Sequence, residues 1–154
     1  MNQPHSRERQ RGATLIEVLI AVLVLAIGLL GVAALQTSAL RGNQSAFERS
    51  QAVIHTYSML DAMRANANVA RQGGYNTGGF LCAAPGGAGR VASEQAAWIN
   101  GMQGDPAQER FNMGGSACGR IVCGPATCSV TIRWDDSRVA EGDDAQELTL
   151  VTRI

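Results

Sequence analysis

One carboxylate is set apart by its surroundings. Glu17 lies four residues inside a run from Ala13 to Leu35, 23 residues that contain no other charge. A lone acid at membrane depth costs about 2.5–3.5 kcal/mol on insertion scales. Near a helix N-terminus the cost falls, because the first-turn amides favour an anion. Glu17 is therefore either an interfacial acid at the start of an ordinary anchor or a functional group whose partner lies elsewhere.

The four cysteines, Cys82, Cys118, Cys123 and Cys128, form the second chemical set, and all follow the apolar run. An even number outside the cytoplasm points to disulfides, with three possible pairings. A close pair among the last three plus a longer loop from Cys82 is geometrically reasonable. The last three are spaced C-x4-C-x4-C, and the only histidines, His5 and His55, are far away in sequence, so a zinc site is disfavoured and no metal is expected. Asp135 and Asp136 are adjacent, which on a strand end sends them to opposite faces and makes a poor acid/base dyad. With no G-x-S-x-G, H-E-x-x-H or phosphate-binding loop either, no catalytic residues and no cofactor are expected.

The element that positions Glu17 is the apolar run itself, since about 20 such residues cover a hydrocarbon core of about 30 Å. Arg7, Arg9 and Arg11 precede it and the next basic residue is Arg41, so the positive-inside bias holds the N-terminus in the cytoplasm and sends the rest outward. The chain as a whole is formally neutral, with 13 basic and 13 acidic residues, and every basic residue is Arg. No basic patch suggests nucleic acid. The absence of Lys removes Schiff-base and isopeptide chemistry.

Gly12-Ala13-Thr14-Leu15-Ile16-Glu17-Val18-Leu19-Ile20-Ala21, behind a short basic leader, closely resembles the class III signal of type IV pilins and of type II secretion pseudopilins. The resemblance implies cleavage between Gly12 and Ala13 by a prepilin peptidase, methylation of the new Ala13 amino group, and docking of Glu17 onto the free amino group of a neighbouring subunit. The family usually carries Phe or Met where this chain has Ala13. Removing residues 1–12 would leave an excess of two acids. A secretory signal cut after Val32-x-Ala34 is the rival, but the run is longer than the usual core of about 7–15 residues and contains Glu17.

Beyond Leu35 the helical period continues while the hydrophobicity falls. Leu40, Phe47 and Ile54 recur at seven, then Tyr57, Leu60 and Met63 at three, predicting one apolar stripe, with Arg41, Glu48, Arg49, Gln51 and Asp61 facing outward. No proline interrupts the chain from Ala13 to Val69, which predicts one helix of about 55 residues, ending near Asn66–Asn68 with an Asn cap. Asp61 and Arg64 are an i,i+3 pair. Met63-Arg64-Ala65-Asn66 adds a resemblance to the type IV pilus modification proteins, the PilV group of minor pilins. Gly28 and Gly31 permit close helix approach but are not a GxxxG motif.

Glycine-rich residues 71–90 read as loop. Ser93 predicts the cap of a short helix to about Gln103, with Ala96, Ile99 and Met102 buried and Trp98 as a core or edge anchor. Gly104-Asp105-Pro106 ends it. Val130, Ile132 and Trp134, then Leu148, Leu150, Thr152 and Ile154, alternate with polar or outward residues and predict an antiparallel pair, with earlier strands near 110–113 and 120–123. The acidic connection from Asp135 to Asp144 lacks EF-hand spacing and reads as a solvated hairpin loop.

The expected fold class is α+β, pilin-like: a long N-terminal helix, transmembrane in its first half, packed on a small antiparallel sheet. The expected divisions are a leader over 1–12, a transmembrane and assembly segment over 13–35 and an exported domain over 36–154. The resemblance implies a minor pilin, not an enzyme. Its partners would be other minor pilins, the major pilin, the prepilin peptidase and inner-membrane lipid, with no nucleic acid. It would pass from the inner membrane to the pilus. A minor pseudopilin of type II secretion is the first alternative, and a disulfide-stabilised, membrane-anchored periplasmic binding domain the second.

Overall fold

In the computed structural model, residues 12, 14–104, 113–139 and 142–154 are described. The elements are α1 (Leu15–Arg64), α2 (Ala67–Arg71), α3 (Arg90–Gln103), β1 (Cys118–Cys123), β2 (Thr127–Trp134) and β3 (Gln146–Arg153). The chain divides into two units, residues 1–39 and 40–154.

The described part of the first unit is helix from Leu15 onward, and its side chains are exposed throughout. The second unit is α+β. Its sheet is antiparallel in the order β1-β2-β3, with Ile121 opposite Val130 and Val130 opposite Leu150. The period-2 pattern of β2 sends Cys128, Val130, Ile132 and Trp134 inward, onto Ala52, Met59, Leu60 and Met63 of α1 and onto Trp98, Ile99 and Met102 of α3. The expected pairing of the last two strands and the expected strand at 120–123 are therefore present. The strand expected near 110–113 and the stop at Asp105-Pro106 fall largely outside the described residues.

Three details differ from the sequence reading. The buried face of α1 is Glu48, Ala52, Thr56, Met59, Leu60 and Met63. Leu40, Phe47, Ile54 and Tyr57, expected in the stripe, are 69%, 50%, 57% and 49% exposed. Both sets satisfy a helical period. The sheet selects the face whose small Ala52 and Thr56 allow close approach, and Thr56 stays satisfied by donating its hydroxyl to the Ala52 carbonyl at 2.7 Å.

The helix also ends earlier than expected, at Arg64, where an exposed pair with Asp61 at 2.7 Å forms as foreseen. Asn66 precedes α2, but its side chain makes no cap; it donates to the Tyr75 hydroxyl at 3.2 Å. Finally, α3 begins at Arg90, so Ser93 lies inside the helix and its N–H donates to the Gly89 carbonyl at 3.1 Å. Gly89 takes the position before the helix at φ 106°, a value that an L side chain resists.

The 71–90 segment is irregular yet ordered by β1. Asn76 Nδ2 donates to the Cys123 carbonyl at 3.2 Å and Asn76 Oδ1 accepts the Cys123 N–H at 2.6 Å. The Thr77 N–H donates to the Ile121 carbonyl and its hydroxyl accepts the Ile121 N–H, while Leu81 and Gly119 exchange both main-chain hydrogen bonds. The loop thereby satisfies the outer edge of β1, which would otherwise offer unpaired backbone groups. Disulfides join Cys82 to Cys118 and Cys123 to Cys128, the first fastening this loop to β1 and the second closing the β1–β2 turn. Trp98 packs over Gly119, where any Cβ would overlap the indole ring.

Two stability effects follow. The Cys82–Cys118 bond closes 36 residues and Cys123–Cys128 closes 5. Replacing both members by Ser is therefore expected to cost about 4 kcal/mol for the first and about 2 kcal/mol for the second, read by urea unfolding of the full chain in detergent. Equal losses would contradict loop closure as the source. Gly119→Ala is expected to lose about 1–3 kcal/mol through the clash with Trp98. An unchanged melting temperature would contradict that packing.

Candidate functional site

The start of α1 is built by Thr14. Its carbonyl accepts the N–H groups of Glu17 at 3.1 Å and Val18 at 3.3 Å, and its hydroxyl accepts the Glu17 N–H at 3.3 Å. A Thr cap with an acid three residues later is the T-x-x-E arrangement that starts helices, a local signal passed over in the sequence reading. It places Glu17 in the first turn, where the helix dipole favours its charge. Among the described residues the Glu17 carboxylate has no hydrogen-bond or ionic partner.

Around and beyond Glu17 the side chains from Leu15 to Leu35 are exposed, Leu15 at 86% and Leu35 at 72%. This helix is long and apolar enough to cross a membrane by length and composition. A Cβ at Gly28 or Gly31 would meet nothing within 4 Å, so neither glycine is demanded by packing among the described residues. Gly12 is exposed; Ala13, the expected methylation position, lies outside the described residues.

A second polar assembly, which the sequence reading missed, ties α1 to the β2–β3 connection. Glu48 was expected to face outward. It is only 3% exposed, because Arg138 from the connection folds over it as an ion pair. Ser45 donates to Asp136 Oδ2 at 2.5 Å beside it, and the Asp136 N–H donates to the Asp143 carbonyl at 2.9 Å. Glu48 Oε2 has no partner among the described residues. Burial pushes the Glu48 carboxyl above its ordinary value of 4.5, against the pull of Arg138 and with a further push from Asp136 and Asp135.

The remaining candidates do not converge on a chemistry. His55 sits in a groove of about 310 Å³ with Trp98 and Glu94, and burial lowers its pKa below 6.5. All four cysteines are oxidised, so no thiolate is free to bind a metal. Among the described residues no three His, Cys, Asp or Glu side chains gather as a metal site. Asp135 is exposed and Asp136 buried, on opposite sides of the chain.

An exposed apolar helix whose first-turn acid is unpaired among the described residues, leading into a disulfide-bonded α+β unit, fits a protein anchored in a membrane by a single pass. Residues 7–33 match the model of the prokaryotic N-terminal methylation motif. This match supports a protein of the type IV pilin and pseudopilin kind, with a structural rather than enzymatic role, processed by a prepilin peptidase and assembled with other pilins. No curated protein and no solved structure gives a match.

The buried Glu48 yields a signed pH effect. Because the native state holds the Glu48 proton more tightly than the unfolded chain, its contribution is most favourable below about pH 4.5 and declines as pH rises through the raised native value. Glu48→Gln removes that titration. Relative to the parent, the variant is expected to gain stability as pH rises from about 4.5 through the raised native value and to level off above it, in thermal unfolding of the full chain. A difference independent of pH would contradict it.

Proposed function

We propose that this chain is a minor pilin, inserted in the inner membrane with its N-terminus cytoplasmic and its 36–154 domain in the periplasm. It is cut between Gly12 and Ala13, methylated at Ala13, and incorporated at or near the tip of a type IV pilus, whose assembly it helps to initiate. Its partners are the other minor pilins and the major pilin. The observation that carries this reading is Glu17, unpaired among the described residues, in the capped first turn of an exposed apolar helix within the span of the methylation motif.

Chemistry supports a docking role. In lipid or in a fibre core the apolar side chains lose their contact with water, while an unpaired carboxylate there is costly. A methylated amino group at Ala13 of one subunit and Glu17 of the next would neutralise each other at close range in a low-dielectric setting. The span also lets each subunit wait in the membrane before it is assembled.

Glu17→Ala is expected to leave cleavage after Gly12 intact and to abolish or sharply reduce surface pili and twitching, scored by immunoblot and electron microscopy. Normal piliation in that variant would reject the docking role. Deletion of the whole chain that leaves twitching intact but retains secreted enzymes in the periplasm would move the protein to type II secretion.

A further inference from the structure

The outer face of the sheet carries an arrangement that the assembly role does not use. Arg120 of β1 and Arg133 of β2 are diagonal neighbours, Arg120 standing opposite Thr131 and Arg133 opposite Cys118. Both guanidinium carbons lie over the ring of Phe80, at 4.8 Å and 4.1 Å from its centre. Glu147 of β3 is the direct cross-strand neighbour of Arg133. The Arg133 guanidinium nevertheless sits on the ring, and among the described residues neither arginine makes an ion pair or a side-chain hydrogen bond. A guanidinium stacked on an aromatic ring keeps its in-plane N–H donors available, and that planar fork matches a carboxylate in bidentate fashion.

The rest of the face is not cationic. Val122 and Val151 flank Ser129 in register and are 53% and 65% exposed. Thr131 and Thr149 satisfy each other at 2.9 Å. A phosphate backbone calls for a continuous basic track, which Glu147 and the valines interrupt. Base stacking calls for an open aromatic face, and Phe80 already carries two guanidiniums. Two arginines beside two exposed aliphatic side chains match instead the composition of a protein contact, with charge complementarity to fix its register.

We infer that the outer sheet face, with Arg120 and Arg133 held on Phe80 beside Val122 and Val151, is a docking surface for an acidic protein segment bearing carboxylates next to aliphatic side chains. This goes beyond the assembly role and does not depend on Glu17. Phe80 holds the two like charges side by side before the partner arrives, which lowers the ordering cost of binding.

The test uses the full chain in detergent micelles and a fluorescein-labelled, end-capped synthetic peptide of alternating Asp and Val, read by fluorescence anisotropy. Saturable binding is expected. It should weaken by about tenfold or more in Arg120→Gln/Arg133→Gln, which removes both charges and both bidentate forks. Arg49→Gln, on the exposed side of α1, should bind as the parent does. Arg120→Lys/Arg133→Lys keeps the charge and the fold but removes the fork, and is expected to fall between parent and double Gln variant. Equal binding by the parent and both double variants would overturn the inference. So would binding of an oligothymidylate of equal charge as tightly as the peptide. Self-association of the parent in sedimentation that is lost in the double Gln variant would also overturn it, and would give the face to contacts between copies.

Discussion

The constraint on which everything else depends is the exposed apolar helix from Leu15 to Leu35. No described residue covers it, and water is a poor solvent for it. Its stability in the cell must come from lipid or from other helices. Glu17 sharpens the constraint, since its charge is favoured by the first turn but has no counter-charge among the described residues. A helix of this kind is unfinished on its own. In the proposed function, membrane insertion followed by assembly would complete it twice, first with lipid and then with neighbours.

The 40–154 unit meets the opposite requirement, holding itself together with little sheet. Three strands give one inner face, and that face is covered by α1 and α3. The open edge of β1 is covered by the glycine-rich segment through Asn76, Thr77 and Leu81, and the Cys82–Cys118 bond prevents that cover from lifting. At the other end, Arg138 and Asp136 tie the β2–β3 connection to Glu48 and Ser45. The disulfides thus reinforce a loop that has few apolar side chains of its own, Tyr75 and Leu81 being the ones that reach the core.

Much of this was legible in sequence because the signals were local. The Ala13–Leu35 run, the alternation in Val130-Ile132-Trp134 and Leu148-Leu150, and the helix ending at Gln103 each declare their period within a few residues. What escaped were choices made by tertiary contact. Two faces of α1 carry helical periods, and the greasier one, Leu40-Phe47-Ile54-Tyr57, lost to the face with small residues that fits the sheet. Glu48 is buried because Arg138, 90 residues later, reaches it, and no rule of spacing links the two. The same holds for Gly119, which reads as a weak point in a strand until Trp98 is seen to occupy the space of its missing side chain. At the N-terminal site the position of Glu17 and the family-like signal were readable. The Thr14 cap was also readable and was overlooked.

The central claim is that the chain is processed as a pilin, so that a free, modified amino group arises at Ala13 and Glu17 becomes the fifth residue of the mature chain. Mass spectrometry of the N-terminus of protein purified from the native membrane tests this most directly. The account predicts a chain beginning at N-methylated Ala13. An intact Met1, or a start near Leu35, would contradict it and leave a simple anchored or exported domain.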